Sequence, residues 1–293
     1  MWKWPIRRDN DPFGRKFVSQ ICDMKQSAKN ISFSGSIPVN YDDGMGEMFF
    51  EPYATEMSNR VALLQPSAVL EIACGTGRLT KYLSQQLPGA SITATDLNPA
   101  MLEFAQKRFS GLSNVRWEIA DALSVPFADQ SFDCVVVQFG VMFYPDKIQG
   151  FRESFRVLRS GGKFIFATWK SLADNEIAQI ANDTVKIFFP NDPPVFFNIP
   201  FSYYDKDQIR KDVMNAGFGS VEIEDLSLSG SNISAENAAR GLFDGTPIIN
   251  FLNERAPDKI PEIKQRFVDA ITKVYGKDHL SIPSSALIVT AER

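Results

Sequence analysis

The sequence has few of the residues from which metal sites, disulfide frameworks and membrane spans are built. It contains one histidine and three cysteines, Cys22, Cys74 and Cys134, which lie far apart and without metal-ligand spacing. We therefore expect no metal site, and we interpret the odd number of cysteines as reduced thiols of a cytoplasmic protein. No apolar run is long enough to predict a membrane span, and the first residues lack the apolar stretch of a secretory signal.

An excess of basic residues is also missing. The formal net charge is −4, whereas a protein that neutralises many phosphates needs a basic face, so nucleic-acid binding is disfavoured. The charge is uneven, because residues 1–36 hold seven Lys and Arg against three Asp. We interpret that stretch as a solvated basic arm, with anionic surface binding or targeting as the alternative.

What the sequence does contain, from residue 68 onward, is a regular alternation of short apolar runs and helical patterns. This alternation is typical of βαβ units and a parallel sheet. The predicted strands are 68–73, 91–95, 115–119, 132–139 and 163–169, followed by a closing pair at 220–228 and 286–291. Asn98 and Asp205 are predicted to cap two of the helices. Segments at about 171–202 and 234–283, like residues 1–60, fall outside these units, and we expect them to cover the carboxyl ends of the strands.

The strongest single motif is VLEIACGTGRLT at 69–80, in which a strand leads into a glycine-rich turn that opens a helix. Gly75 and Gly77 permit positive φ and let backbone N–H groups approach an anionic group at the helix amino terminus. Alone, this motif also fits a dinucleotide. That fingerprint, however, requires a third glycine where this chain has Thr80.

Three acidic residues follow one another in an order that suits a nucleoside ligand. Glu71 lies inside the first strand, where it needs a partner such as a ligand ammonium or the turn amides. Asp96 ends the second strand, where its carboxylate can bind two ribose hydroxyls, an arrangement that would also suit NAD. Asp121, followed by Ala122, comes after the third strand and can accept from an adenine amino group.

Five segments extend the pattern in register over roughly residues 40–170: EIACGTG, ATDLNPAML, WEIADALSVPF, SFDCVVVQFGVMFYPD and FRVLRSGGKFIFATW. As a set they resemble class I S-adenosylmethionine-dependent methyltransferases, and within them the ubiquinone/menaquinone-biosynthesis-type small-molecule enzymes. The resemblance implies an α/β fold, a Rossmann-like, seven-stranded, mostly parallel sheet of order 3-2-1-4-5-7-6 with helices on both faces and added helical lid segments. It divides the chain into an amino-terminal arm and helical cap, 1–60, and a methyltransferase domain, 61–293, with the two insertions.

The resemblance also implies S-adenosylmethionine as cofactor and a set of residues around it. The implied cofactor contacts are Tyr41, Glu71, Ala73, Gly75, Gly77, Asp96, Leu97, Met101, Asp121, Ala122 and Gln138. Among them Tyr41 resembles an aromatic residue that closes over the cofactor, Asp96 would hold the ribose, and Gln138 would touch the cofactor beside the substrate. The predicted substrate pocket is formed by Phe139, Met142 and Phe143.

The implied reaction is direct in-line transfer of the methyl group to an O-, N- or C-nucleophile of a small molecule, which depends mainly on alignment. Because no histidine lies near the motifs, a general base would be Tyr, Asp or Glu, or would be absent. A phenol, activated carbon or amine is therefore easier to accommodate than an unactivated alcohol. Two alternatives stay open, a NAD(P)-dependent oxidoreductase and a non-catalytic S-adenosylmethionine-binding regulatory protein. The acceptor and the oligomeric state, monomer or homodimer, also stay open.

Overall fold

The computed structural model describes residues 37–293, so the basic stretch 1–36 and Cys22 lie outside the described residues. The described chain forms a seven-stranded sheet. Its strands are β1 Ala68–Ile72, β2 Ser91–Asp96, β3 Val115–Ile119, β4 Phe132–Gln138, β5 Leu158–Trp169, β6 Ser220–Ile233 and β7 Leu280–Glu292. Their spatial order is β3-β2-β1-β4-β5-β7-β6, which confirms the predicted order.

Helices connect and cover the strands. The α-helices are α1 Ile37–Met45, α2 Glu51–Leu63, α3 Arg78–Gln86, α4 Pro99–Arg108, α5 Lys147–Val157, α6 Glu176–Phe188, α7 Lys206–Asn215, α8 Ala235–Ala239, α9 Ile248–Arg255 and α10 Ile260–Tyr275. Two π-helical turns, Gly46–Phe50 and Arg240–Asp244, follow α1 and α8, and short 3₁₀ turns lie at Val141–Phe143, Leu172–Asp174, Phe196–Asn198 and Pro257–Lys259. The predicted boundary at residue 60 falls inside α2.

Two of these helices begin at the caps predicted from the sequence. The Asn98 side chain accepts a hydrogen bond from the Ala100 amide at 2.9 Å at the start of α4. The Asp205 carboxylate accepts from the amides of Asp207 and Gln208 at the start of α7. Side-chain oxygens satisfy helix-terminal N–H groups in this way because those groups have no partner within the helix.

The two closing strands are antiparallel, since β7 runs against both β5 and β6. Both are longer than predicted, because their pairing continues through positions outside the predicted apolar runs, such as Ser285 opposite Ser227 and Gly230 opposite Ile282. The prediction followed apolar side chains, whereas the ladder is held by backbone groups that any residue other than proline can supply. β5 likewise begins at Leu158, five residues before the predicted start.

The core lies on both faces of the sheet. β4 is the central strand, and Cys134, Val135, Val136 and Val137 are fully buried in it, as its continuous apolar run predicts. Neighbouring residues of β5 point to opposite faces. On one face Phe166 stacks against Phe151 of α5, with ring centroids 5.3 Å apart. Trp169, near the end of the same strand, meets Tyr53 of α2 at 5.4 Å on the other face.

Tyr53 also ties α2 to the antiparallel edge of the sheet. Its hydroxyl donates to the carbonyl oxygens of Ser284 at 2.7 Å and Leu226 at 3.0 Å.

We expect Tyr53→Phe to lower the free energy of unfolding by about 1–2 kcal/mol, because one buried hydroxyl bond contributes roughly that much. Urea denaturation measures it. Tyr275→Phe, which removes a more exposed hydrogen bond to Glu176, is the control and should cost about 0.5 kcal/mol or less. Equal losses in the two variants would contradict this role for Tyr53.

Two findings limit what the described residues can hold. Over residues 37–293, no helix combines the length and apolar character needed to cross a membrane. The same part of the chain brings no three His, Cys, Asp or Glu side chains together as metal ligands. The two cysteines in it, Cys74 and Cys134, are buried free thiols.

Candidate functional site

The carboxyl ends of the parallel strands open into a cavity of about 600 Å³, here called the large cavity. Its volume lies within the range of small-molecule sites, roughly 300–1,000 Å³, and its position is the one where open α/β sheets bind ligands. Of the predicted site residues, it brings together Tyr41, Glu71, Ala73, Gly75, Asp96, Leu97, Met101, Asp121, Ala122, Gln138, Phe139 and Phe143. Gly77 and Met142 are not part of its lining.

The turn after β1 has the left-handed backbone that its sequence predicts. Gly75 has φ of 56° and Gly77 has φ of 79°. A Cβ atom at Gly75 would meet nothing within 4 Å, whereas one at Gly77 would lie 3.0 Å from the Trp117 ring and 3.1 Å from the Ala105 side chain. The two glycines therefore differ in role. Gly75 borders the large cavity, and Gly77, which is absent from the cavity lining, lets the start of α3 pack closely against β3 and α4.

Of the five non-glycine residues with left-handed φ among residues 37–293, two directly follow a strand and line the large cavity. They are Ala73, at 56°, after β1, and Phe139, at 55°, after β4. Such conformations cost on the order of 1–3 kcal/mol each and persist where the surroundings hold them. These two positions lie at the edge of the sheet at which the predicted site residues converge.

Glu71 is the most deeply buried acid of the site, with 1% of its surface exposed. Thr80 donates to its carboxylate at 2.6 Å. Burial raises the pKa of Glu71 to about 8, the bond from Thr80 opposes this shift, and the charge of Asp96 adds to it. Sequence analysis treated Thr80 only as the residue in place of a third glycine, yet its hydroxyl fixes the acid that faces the cavity. A cationic ligand group would restore the ionised form of Glu71.

Asp96 is oriented by backbone groups on either side of it. One carboxylate oxygen accepts from the Gly75 amide at 2.8 Å, and the other accepts from the Asn98 amide at 2.8 Å. Burial raises its pKa, and these backbone bonds act in the opposite direction. Each carboxylate oxygen can accept a second hydrogen bond, so the side chain can still receive the hydroxyls of a ligand in the cavity.

The large cavity is less polar beyond the ends of β2 and β3 than it is beside Glu71 and Asp96. Leu97 is 65% exposed at its rim, whereas Met101 and Ala122 are buried. Asp121 accepts from the Leu123 amide at 2.9 Å, which turns the chain after β3. These side chains offer an apolar slot with one carboxylate at its edge, the arrangement that suits a flat heterocycle carrying an amino group.

Two residues that line the large cavity, Gln138 and Tyr144, each have a buried polar atom without a hydrogen-bond partner among residues 37–293. These atoms are the side-chain oxygen of Gln138, whose amide nitrogen donates to the Phe50 carbonyl at 2.8 Å, and the hydroxyl of Tyr144. Burial, with the charges of Asp96 and Asp121, raises the pKa of Tyr144. An unpaired buried polar atom costs about 1–3 kcal/mol, so both residues are candidates for a hydrogen bond to a ligand in the large cavity. Tyr144 and Phe50 were not predicted as site residues.

Tyr144→Phe tests whether that hydroxyl serves a ligand. Because the hydroxyl has no partner among the described residues, its removal should not lower the free energy of unfolding. The dissociation constant for S-adenosylhomocysteine, measured by calorimetry, should rise about 5–10-fold, the equivalent of one lost hydrogen bond. Tyr203→Phe is the matched control, since that hydroxyl donates to Asp212 at 2.9 Å. It should lose stability and keep its affinity. An unchanged affinity in Tyr144→Phe would contradict the assignment.

The helical cap is fastened over the glycine turn by charged residues, here called the cap clamp and consisting of Asp42, Glu51, Arg78 and Arg108. Arg78 donates to both carboxylate oxygens of Asp42 at 2.7 and 2.8 Å and to Glu51 at 2.6 Å. Arg108 also contacts Asp42. Beside the clamp, Tyr41 stacks on Phe50 with ring centroids 4.9 Å apart, and both rings line the large cavity.

Sequence analysis did not single out Arg78, although one signal was available. A cation in the first turn of a helix faces the positive end of the helix dipole, so an arginine directly after the glycine turn needs an acidic partner. The sequence could not say which acid, because Asp42 is 36 residues away. Only the tertiary structure, which places α1 within reach of the Arg78 side chain, identifies it.

A second cavity of about 70 Å³, here called the small cavity, lies beside the large one. Tyr41, Phe50, Phe139 and Phe143 line both cavities. Of the predicted substrate-pocket residues, Phe139 and Phe143 therefore lie at the boundary between them. Met142 is buried and lines neither, although Phe143, the next residue of the same 3₁₀ turn, lines both.

The residues of the large cavity fit the cofactor that the sequence implies. Glu71 can accept the methionine ammonium, Asp96 the ribose hydroxyls and Asp121 the adenine amino group. The volume and the two partnerless polar atoms agree with a ligand that carries donors and acceptors along its length. No metal is required for any of these contacts.

Comparison with known proteins also points to a methyltransferase. Residues 69–162 match the model of a methyltransferase domain. The chain is 38% identical to the demethylmenaquinone methyltransferase of Lactobacillus johnsonii over 128 residues, 42% of this chain and 51% of that protein. It is 29% identical to the ubiquinone/menaquinone biosynthesis C-methyltransferase of Pasteurella multocida over 173 residues, 54% of this chain and 65% of that protein. The alignments thus span about half to two thirds of these relatives, and the predicted resemblance is confirmed.

Solved structures share the fold at low sequence identity. The YcgJ protein of Bacillus subtilis superimposes with a TM-score of 0.55 and 18% identity, covering 82% of this chain and 98% of that one. A Haemonchus contortus phosphoethanolamine N-methyltransferase, solved with S-adenosylhomocysteine, gives a TM-score of 0.55 and 17% identity, covering 87% of this chain and 56% of that one. At these identities the likeness establishes the Rossmann-like fold.

Proposed function

We propose that this chain transfers a methyl group from S-adenosylmethionine to a small-molecule acceptor by direct in-line displacement. The observation that carries the proposal is the large cavity, in which Glu71, Asp96 and Asp121 follow one another along the carboxyl ends of β1, β2 and β3. The match of residues 69–162 to a methyltransferase domain supports the same conclusion. The proposed cofactor contacts are the predicted ones that line the large cavity, with Phe50 and Tyr144 in addition.

When bound, S-adenosylmethionine supplies an electrophilic methyl group on a sulfonium sulfur. The protein then has to hold the acceptor in line and keep water away, and alignment alone can supply effective molarities of about 10⁵ M or more. The rings of Tyr41, Phe50, Phe139 and Phe143 serve both purposes, because they stand between the two cavities. Within the described lining, Glu71 is held by Thr80 and placed to bind a cation, which leaves it poorly suited as a base toward the acceptor.

Calorimetry with S-adenosylhomocysteine and with NADH separates the main alternatives. We expect S-adenosylhomocysteine to bind and NADH not to bind, and tight binding of NADH alone would overturn the proposal. Incubation with methyl-labelled cofactor and a metabolite mixture then tests whether the labelled methyl group is transferred to an acceptor. Binding without transfer to any acceptor would favour a non-catalytic regulatory protein.

Three further predictions concern the acceptor, the cellular location and the oligomeric state. We propose a small molecule and not a nucleic acid as acceptor, because the small cavity is lined mainly by aromatic side chains and has no Lys, Arg or His in its lining. A cytoplasmic location remains the prediction made from the cysteines, and the described ones, Cys74 and Cys134, are free thiols. The oligomeric state, monomer or homodimer, is decided by light scattering.

A further inference from the structure

The turn after β4 carries two residues of the large cavity, and a single lysine holds its backbone. Lys147 is the first residue of α5. Its ammonium donates to the carbonyls of Met142 at 3.3 Å and Tyr144 at 3.1 Å. The chain between these two carbonyls consists of Phe143 and Tyr144, which both line the large cavity. The ammonium therefore fixes the backbone on both sides of two cavity residues.

The position of this lysine is explained by the turn before it and not by the helix that it begins. A cation in the first turn of a helix is unfavourable, because the amino-terminal end of the helix dipole carries partial positive charge. The last carbonyls of a helical turn, in contrast, have no partner within the turn and attract a donor. Lys147 reaches back from α5 to the end of the 3₁₀ turn Val141–Phe143, where it meets such carbonyls.

The remaining surroundings of the ammonium are a ring and a more distant acid. Lys147 lies over the Tyr203 ring, 5.0 Å from its centroid. The acid whose charge acts on Lys147 is Asp212, which accepts from the Tyr203 hydroxyl at 2.9 Å. Burial lowers the pKa of Lys147, and the charge of Asp212 opposes this shift. Desolvation of an ammonium costs free energy unless the lost water is replaced, and here the two carbonyls and the ring replace it.

Tyr144 is fixed at every point except its hydroxyl. Its side chain packs against Gly150 of α5, where a Cβ atom would lie 2.6 Å from the Tyr144 ring. Its carbonyl is bound by Lys147, and its amide donates to the Val141 carbonyl at 3.2 Å. The hydroxyl, in contrast, has no partner among residues 37–293. The ring and backbone of Tyr144 are thus held in place before any ligand binds.

We propose that Lys147 is a positioning residue for cofactor binding, which acts through Tyr144 by holding the turn after β4 in the conformation that the cofactor meets. The inference rests on the proposed function and goes beyond it by naming a residue that lines neither cavity. Its physical basis is preorganisation, since a group that is ordered before binding loses little conformational freedom when the ligand arrives.

Two substitutions of Lys147 test whether its donors matter. Lys147→Met keeps most of the side-chain length and removes the ammonium. The dissociation constant for S-adenosylhomocysteine, measured by calorimetry, should then rise about 5–10-fold, as for Tyr144→Phe. Lys147→Arg keeps a charge and donors for both carbonyls and should bind within about twofold of the wild type. Unchanged affinity in Lys147→Met, or equal losses in both variants, would overturn the inference.

A double-mutant cycle shows whether Lys147 acts through Tyr144. In the Tyr144→Phe background, Lys147→Met should weaken S-adenosylhomocysteine binding by less than about twofold, because the hydroxyl that Lys147 positions is already gone. Two independent losses would instead multiply to about 25–100-fold. A merely structural role of Lys147 predicts that multiplication, so observing it would overturn the inference.

Lys264→Met is the matched control. Lys264 on α10 is also partly buried and donates to both carboxylate oxygens of Asp244, at 2.5 and 2.6 Å, but it lines neither cavity. The variant should lose stability in urea denaturation and keep its affinity for S-adenosylhomocysteine. If it weakened binding as much as Lys147→Met, the effect of Lys147 would be a general loss of stability and the inference would be wrong.

Lys147→Gln keeps the test decisive if Lys147→Met does not fold. Glutamine is neutral and shorter but keeps an amide donor, so a loss of about threefold or more in S-adenosylhomocysteine affinity is expected. Wild-type affinity in that variant would overturn the inference. Absence of S-adenosylhomocysteine binding by the unaltered protein would instead count against the proposed function, so the two failures are distinguishable.

Discussion

Replacing Asp42 with alanine should lower the free energy of unfolding by about 3–5 kcal/mol, the cost of removing one partner from a buried ion pair. Asp42 is 1% exposed and accepts from Arg78 and Arg108 of the cap clamp. Its loss leaves the Arg78 guanidinium, itself mostly buried, with Glu51 as its acidic partner in the clamp. Urea denaturation at pH 7 measures the change.

Asp129→Ala is the matched control for that variant. Asp129 pairs with Arg156 at 2.8 Å but is 70% exposed, and an exposed pair contributes about 0–1 kcal/mol. Because Arg78 begins α3 and lines the large cavity, Asp42→Ala should also weaken S-adenosylhomocysteine binding, whereas Asp129→Ala should not. If the two variants lost equal stability, Asp42 would contribute no more than an exposed ion pair does, which would contradict its role in the cap clamp.

Replacing Glu71 with glutamine should weaken S-adenosylhomocysteine binding about 10–100-fold, because a hydrogen bond to a charged group contributes roughly 1.5–3 kcal/mol. Glutamine keeps the shape and can still accept from Thr80, which bonds the wild-type carboxylate at 2.6 Å. The variant therefore removes the charge and leaves the local geometry in place. Calorimetry at pH 8 checks the affinity, and a change below twofold would exclude Glu71 as the site of the ligand ammonium.

The same residue predicts how affinity depends on pH. Without ligand the pKa of Glu71 is about 8, so the acid is mostly protonated at pH 7 and must release its proton to pair with an ammonium. Affinity should therefore rise by up to about tenfold per pH unit between pH 6 and pH 8 and level off above the pKa. Binding enthalpies in two buffers of different ionisation enthalpy report the released proton. Glu71→Gln should bind with no such release.

Stability should depend on pH in the opposite sense. The folded protein holds a proton on Glu71, with a pKa of about 8, that the unfolded chain releases near pH 4.5. Folding stability from this group is thus fully present below pH 4.5 and is lost as the pH rises through 8, by about 1 kcal/mol per unit. Without ligand, Glu71→Gln should therefore gain stability over the wild type as the pH is raised, and denaturation at pH 5 and pH 8 checks this.

Local chemistry made several parts of the site predictable. Positive φ at Gly75 and Gly77, the cap at Asn98 and the acids at the ends of β1, β2 and β3 each depend on neighbours in sequence, and the structure has them where predicted. Roles were harder to predict than positions. Gly77 packs against Trp117 instead of lining the cavity, since which side of a turn meets another element depends on residues distant in the chain.

The sequence by itself determined the placement of the glycine turn and of the acids at the strand ends, because period, turn chemistry and motif spacing are local properties. The strand order came from the resemblance to known methyltransferases. Only the tertiary structure decided which other residues surround the turn and the acids. It brought Asp42 to Arg78, left Tyr144 and Gln138 beside the large cavity with unpaired polar atoms, and gathered rings from three separate segments around the small one. Such contacts join residues far apart in the chain and form when helices pack over the sheet, so no local pattern encodes them.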